Sequence, residues 1–236
     1  MKIIKSSVKY FLNKKFVKKI LYWGSFMKFT DDLVKKLISS EDIILDVGAR
    51  NFPYTKDIKV KKVIGIDLPS KSEGYLGWTK SSIKSIKKKK LYPIIGNCEM
   101  LPFKKNLFDK IIMIEVIEHI KNDILAIKEL SKSLKNNGKI IITTPNGNEV
   151  KNTNPYHHRH YKKEQLFMIL KKYFKKVNIQ LYFPNQNLYI KQYLPNNSNF
   201  FKRLFWHYFY QIWNKFFNKN FNNLGYTIVA ICEKPF

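Results

Sequence analysis

The sequence predicts an α/β fold, a doubly wound and mainly parallel sheet. Three observations carry that expectation. Short apolar runs alternate along the chain with stretches whose apolar residues recur at helical spacing. One run, Phe108-Asp109-Lys110-Ile111-Ile112-Met113-Ile114, is apolar enough for a strand buried on both faces. It leads into Glu115-Val116-Ile117-Glu118-His119, so polar groups fall just past the carboxyl end of a strand, where open parallel sheets keep their ligands.

Each element can be justified in order. Residues 1–38 read as a basic helical extension, with Val8, Phe11, Leu12, Phe16, Ile20 and Leu21 near helical spacing between lysines. Those lysines interrupt it too often for a secretion signal. Ile43-Ile44-Leu45-Asp46-Val47-Gly48 reads as a first strand entering a glycine turn, and Val63-Ile64-Gly65-Ile66-Asp67 as a second ending on an acid. Residues 81–90 are a lysine-rich surface helix or loop, and Leu91-Tyr92-Pro93-Ile94-Ile95 is a weaker third strand. After the fourth strand, Ile124, Leu125, Ile127, Leu130 and Leu134 mark an amphipathic helix over 122–135. Asn122 or Asp123 would cap it, and Asn137-Gly138 would stop it. A fifth strand starts at Lys139, a helix covers 162–173, and Val177–Phe183 and Tyr226–Cys232 supply two more strands. We expect residues 39–236 to form the main domain.

Composition narrows the class. The chain has 236 residues, enough for one good-sized core, and no apolar stretch of about 18 uncharged residues that would span a membrane. Cys98 and Cys232 lie too far apart in sequence for a disulfide framework, which suits a reducing, cytoplasmic setting. A net charge of +27 points towards polyanions, yet only Arg50, Arg159 and Arg203 are arginine, the residue suited to bidentate contacts. Abundant Lys, Asn, Ile, Phe and Tyr also fit coding in an A+T-rich genome. Between about 185 and 224 lies an aromatic-basic insert, including Phe200, Trp206, Phe209, Trp213, Lys202 and Lys215. It suits either a peripheral membrane contact at the inner face or a packed helix or dimer face. Composition does not fix the oligomeric state.

Asp67 follows Asp46 by 21 positions, near the spacing at which an acid after a glycine turn binds a ribose diol. With this, several segments resemble the class I S-adenosylmethionine-dependent methyltransferases, particularly the small-molecule group that includes the quinone O-methyltransferases. Asp46-Val47-Gly48 is similar to that family's first motif, and Ile64-Gly65-Ile66-Asp67 to its second strand. Gly96-Asn97-Cys98-Glu99-Met100-Leu101-Pro102-Phe103 resembles a segment that approaches the adenine. Phe108–Ile120 resembles the fourth strand, Leu134–Lys139 the turn before the fifth strand, and Thr144-Pro145-Asn146 the loop after it.

The resemblance implies a seven-stranded Rossmann-like sheet with its last strand antiparallel, and S-adenosyl-L-methionine as cofactor. Asp46, Gly48, Arg50, Asp67, Asn97, Cys98 and Glu115 would line the cofactor. Arg50 and Phe52 stand where the family favours glycine; Asn51 tolerates a left-handed backbone, and Arg50 has the fork to pair with the cofactor carboxylate. Tyr156-His157-His158-Arg159-His160-Tyr161 would face the acceptor, with His158 or His119 as general base and Arg159 holding an anionic substrate. His119 equally suits a structural place beneath the site. No metal site is assigned, because neither three histidines nor Glu115, Glu118 and His119 have a diagnostic spacing.

The expected activity is methyl transfer to a small-molecule, glycan or lipid-linked acceptor. A nucleic-acid methyltransferase or binder is the alternative that the charge suggests; base-amino methylation is disfavoured, because the Asn/Asp-Pro-Pro-aromatic pattern is missing after the fourth strand. A scaffold without cofactor is the remaining alternative.

Overall fold

The computed structural model describes residues 14–70, 77–86, 90–182 and 225–236. The aromatic-basic insert and the start of the N-terminal extension lie outside the described residues. The chain divides into two units, one of residues 34–182 and 224–236, the other of residues 1–33 and 183–223. Helix α1 (Lys14–Leu37) is the described element of the second unit and continues into the first. Among the described residues no helix is long and apolar enough to cross a membrane.

The larger unit is built on seven strands: β1 (Ile43–Val47), β2 (Lys62–Asp67), β3 (Leu91–Ile95), β4 (Phe108–Ile114), β5 (Leu134–Pro145), β6 (Phe174–Tyr182) and β7 (Thr227–Pro235). They lie in the order β3-β2-β1-β4-β5-β7-β6. All pairings are parallel except those of β7, which runs antiparallel to both β5 and β6. That is the expected seven-stranded fold. Helices α2 (Lys80–Ser85), α3 (Asp123–Ser133) and α4 (Lys163–Leu170) connect the strands, with a 3-10 turn at Ile117–His119.

The middle strands carry the core. Ile44, Leu45, Ile111, Ile112, Met113, Ile140, Ile141 and Ile142 are fully buried, so successive residues are covered on both faces of the sheet. Each such side chain contributes roughly 1.5–3 kcal/mol on burial. Asp109, the acidic entry to β4, accepts bonds from the Ile43 amide at 3.0 Å and Lys135 Nζ at 2.7 Å, fixing the starts of β1 and β4 together.

Asn137-Gly138 does not stop the helix. α3 begins with Asn122 accepting a bond from the Leu125 amide at 3.2 Å, as expected, but ends at Ser133. Leu134 turns extended, with φ −79° and ψ 137°, and already pairs with Phe108. Its buried side chain folds back over Gly138, where a Cβ would lie 2.7 Å from Leu134 Cδ1. The glycine therefore serves close packing inside a 12-residue strand.

Candidate functional site at the carboxyl ends of the strands

The carboxyl ends of β1, β2 and β4 are adjacent in the sheet, so the turns that follow them form one edge. At the tip of β1, Gly48 has φ 70° and its amide donates to Ile66 O at 2.9 Å. A Cβ there would lie 2.5 Å from Val116 Cγ2. The glycine turn is thus packed against the turn that follows β4.

The next left-handed residues are Arg50 (φ 41°) and Phe52 (φ 52°), not Asn51 as the sequence suggested. The reason lies in burial. The Phe52 ring is fully buried across Gly65, where a Cβ would come within 2.4 Å of it, and 5.5 Å from the Trp78 ring. Burying that ring offsets the left-handed backbone cost of about 1–2 kcal/mol. The small residue this turn needs stands at position 65, opposite the aromatic ring. Arg50 is exposed and has no such compensation. Arg50→Gly should therefore raise the melting temperature by roughly 2–8 °C, measured by calorimetry. If Arg50 holds the cofactor carboxylate, the same variant binds S-adenosylhomocysteine more weakly, whereas tighter binding would mark Arg50 as an obstruction.

Asp46 is buried and accepts a bond from Thr55 Oγ1 at 2.6 Å. Burial pushes its carboxyl up to about 7; the Thr55 bond opposes this and the Asp67 charge adds to it. The folded chain then holds a proton on Asp46 that the unfolded chain releases near pH 4, so this group lowers stability as pH rises from about 4 to about 7. Asp46→Asn lacks that penalty. Its stability relative to the parent should grow by up to about 4 kcal/mol across this window and stay level above it, as read by urea unfolding. A flat difference would contradict the assignment.

Asp67 closes β2. Its Oδ1 accepts the Leu68 amide at 2.8 Å and its Oδ2 the Arg50 amide at 3.2 Å. Burial raises its pKa, opposed by those two amides and by the Arg50 charge. A carboxylate has about four lone-pair sites, so each oxygen keeps capacity for a further donor. Asn97 Oδ1 accepts the Glu99 amide at 2.9 Å, shaping the loop after β3, and Gly96 N donates to Asp67 O at 2.9 Å. Burial pushes the Cys98 thiol up to about 12, leaving it a neutral group packed on the core. Sequence reasoning passed over Leu68 and Met100, 54% and 77% exposed, which offer apolar surface beside Asp67 and Asn97. Their signal was position: each lies within three residues of a candidate polar contact.

At the tip of β4, Glu115 has φ 53°, and Thr143 holds it from both sides. The Glu115 amide donates to Thr143 O at 3.0 Å, and Thr143 Oγ1 donates to Glu115 Oε1 at 3.0 Å. Burial and then the neighbouring Glu118 push the Glu115 carboxyl well above its usual range. Glu118 is 1% exposed; its Oε2 accepts from Thr144 Oγ1 at 2.9 Å, and its Oε1 has no partner. Burial pushes this carboxyl up to about 7, against the bonds from its own backbone and Thr144.

His119 and His157 stand edge to face, with ring centroids 4.4 Å apart. Burial lowers both imidazoles, His157 to about 4. The structure thus brings His157, not His158, against His119. His158 is exposed, and its amide donates to Glu118 O at 2.8 Å. Arg159 does not wait for a substrate: it pairs with Asp123 at 2.7 Å and donates to Lys121 O at 2.7 Å, while Tyr161 OH donates to the same Asp123. It ties the loop to the start of α3. A shallow depression lined by Lys59, Lys61, Lys90 and Ser40 lies at the opposite ends of the strands and holds none of the candidate residues.

Comparison with known proteins places the chain beside methyltransferases. Residues 45–142 match the family model described as "Methyltransferase domain". An uncharacterized protein of Methanocaldococcus jannaschii is 30% identical over 131 residues, covering 51% of this chain and 52% of that protein. The tRNA U34 carboxymethyltransferase of Campylobacter hominis is 29% identical over 126 residues, covering 52% of this chain and 42% of its own. The chain therefore spans about half the length of these relatives. Among solved structures, a SAM-dependent methyltransferase from Archaeoglobus fulgidus superposes with TM-score 0.60 at 15% identity, covering 88% of this chain and 94% of that one. The phosphoethanolamine N-methyltransferase 2 of Haemonchus contortus, in complex with S-adenosyl-L-methionine, gives 0.58 at 18% identity, covering 89% and 53%. Residues 45–142 are thus similar to this methyltransferase family, and the chain shares the fold of these solved methyltransferase structures.

Proposed function

We propose that the chain transfers the methyl group of S-adenosylmethionine to a hydroxyl of a small-molecule, glycan or lipid-linked acceptor. The observation that carries this is Asp67, whose two oxygens are each anchored by a loop amide with lone pairs to spare for the two ribose hydroxyls. Around it the Gly48 turn would receive the methionine part and Arg50 its carboxylate. Asn97, Cys98, Leu68 and Met100 would surround the adenine, and Glu115 would lie beside the sulfonium. The reaction breaks the S–CH3 bond as the C–O bond forms, so alignment of donor and nucleophile is the main requirement. His119 Nδ1 lies 3.0 Å from the Tyr156 carbonyl, which only accepts, so Nδ1 carries the ring proton and Nε2 would take the proton of the hydroxyl.

A nucleic-acid acceptor is the second reading, favoured by the tRNA-modifying relative and the net charge of +27. Incubation with methyl-labelled S-adenosylmethionine and separate lipid, glycan, small-molecule and RNA fractions tests both. Label in a phenolic, sugar or lipid fraction supports the first reading, and label confined to RNA replaces it with the second.

A further inference from the structure

We propose that the amino-terminal ends of β1, β2 and β3 form a surface that holds the phosphate backbone of single-stranded RNA. Parallel strands bring the loops that precede them onto one edge, opposite the edge that carries Asp67. The Lys62 amide donates to Asp42 O at 3.4 Å and the Val63 amide to Lys90 O at 2.9 Å, which ties the three loops together. Between them lies the depression lined by Ser40, Glu41, Lys59, Val60, Lys61 and Lys90. Val60 is 1% exposed, whereas Lys59, Lys61 and Lys90 are exposed, so the apolar residue anchors the segment and the lysines face solvent. In sequence, Lys90 closes the run Lys87-Lys88-Lys89-Lys90, and Lys61 is followed by Lys62.

Pairing separates these lysines from their neighbours. Lys110, Lys135 and Lys139 each meet a carboxylate, Asp42 at 3.4 Å, Asp109 at 2.7 Å and Glu233 at 2.7 Å. Among the described residues, Lys59, Lys61 and Lys90 have no such partner. Glu41, the acid of the lining, accepts from the Ser40 hydroxyl at 3.3 Å instead. A solvated surface from lysine-rich coding would scatter its charge. Here three like charges converge and repel one another, a cost that an anion reverses. Three features choose the anion. Lysine offers point charges without a fork, which suits a backbone held without regard to sequence. Tyr92, 44% exposed and two residues beyond Lys90, lies under Lys62 Nζ at 4.8 Å and leaves ring surface on which a base can stack. A bilayer needs apolar side chains to insert, and Val60 is buried. The choice of RNA over DNA rests on the second reading above. The surface itself does not, because it lies away from the proposed methyl-donor edge and needs no donor.

The test titrates the full chain, without methyl donor, into a fluorescent oligouridylate of about 16 nucleotides at about 50–200 mM salt and reads anisotropy. We expect saturable binding that weakens as salt rises. Lys59→Gln, Lys61→Gln and Lys90→Gln together should weaken it by about tenfold or more at the low-salt end. They should also lower the slope of log affinity against log salt by about 2, at about 0.7 per phosphate contact. Lys128→Gln, Lys163→Gln and Lys172→Gln together remove the same charge on and beside α3 and α4, and should cost less than about threefold. Tyr92→Leu should weaken binding about fivefold or more and leave the slope unchanged. Circular dichroism establishes that each variant is folded. No binding by the parent chain at low salt, or equal losses in the two triple variants, would overturn the proposal. Tighter binding of the matching oligothymidylate would assign the surface to DNA, and a loss confined to anionic vesicles would assign it to a membrane; either replaces RNA. Methyl label in RNA is read separately, and its absence leaves the binding result standing.

Discussion

Asp67→Ala should weaken binding of S-adenosylhomocysteine by about 2–4 kcal/mol, a loss of roughly 30- to 1000-fold in affinity. The variant removes acceptors for two ribose hydroxyls and also frees the Leu68 and Arg50 amides that shape the loop. Asp67→Asn separates the two contributions. It keeps one oxygen acceptor of similar shape while losing the charge, so it should fall between parent and alanine variant. Both are read by calorimetric titration, with circular dichroism to establish that the sheet is intact. Unchanged affinity in a folded Asp67→Ala variant would remove this carboxylate from the cofactor site.

Gly48→Ala should destabilise the fold by on the order of 3 kcal/mol, equivalent to a melting temperature lower by roughly 6–12 °C. Two costs combine. The residue has φ 70°, where a side chain adds about 1–2 kcal/mol, and the new methyl would lie 2.5 Å from Val116 Cγ2. Only the second cost involves position 116. Val116→Ala in the same chain should therefore recover part of the loss, leaving the backbone part. Strict additivity of the two substitutions would contradict the packing of the β1 turn on the segment after β4.

What was legible in the sequence depended on local pattern. β1, β2 and β4 fell close to expectation because a buried parallel strand is largely apolar and ends abruptly at Asp, Glu or Gly. β3, at the sheet edge with Tyr92 and Ile95 exposed, was marked only by its short apolar run before Gly96. The start of β5 was hidden, because Asn137-Gly138 carries a turn signal and the cause of the extended conformation is Leu134 meeting Phe108, 26 positions away in sequence. Arg50 and Phe52 were recognised as departures, but their compensation was not, since Gly65 and Trp78 lie across the turn. The polar edge showed the same division. Asp46, Gly48, Asp67 and Glu115 could be placed because each lies within one or two residues of the end of a strand. His157 could not be told from His158, because which ring turns inward depends on the His160 and Val150 contacts. Arg159 looked available for a substrate until Asp123 and Lys121 were brought beside it.

The central claim is that the edge formed by the Gly48 turn, Asp67 and the Asn97 loop binds S-adenosylmethionine despite Arg50 and Phe52 in the first loop. Calorimetric titration of the parent chain with S-adenosylhomocysteine tests it before any acceptor is known. The account predicts saturable binding of one molecule per chain, at a dissociation constant of about 1–100 μM (roughly 5.5–8 kcal/mol), and competition by S-adenosylmethionine. A folded chain that gives no heat of binding and no rise in melting temperature at millimolar ligand would contradict it and leave a methyltransferase fold without its cofactor.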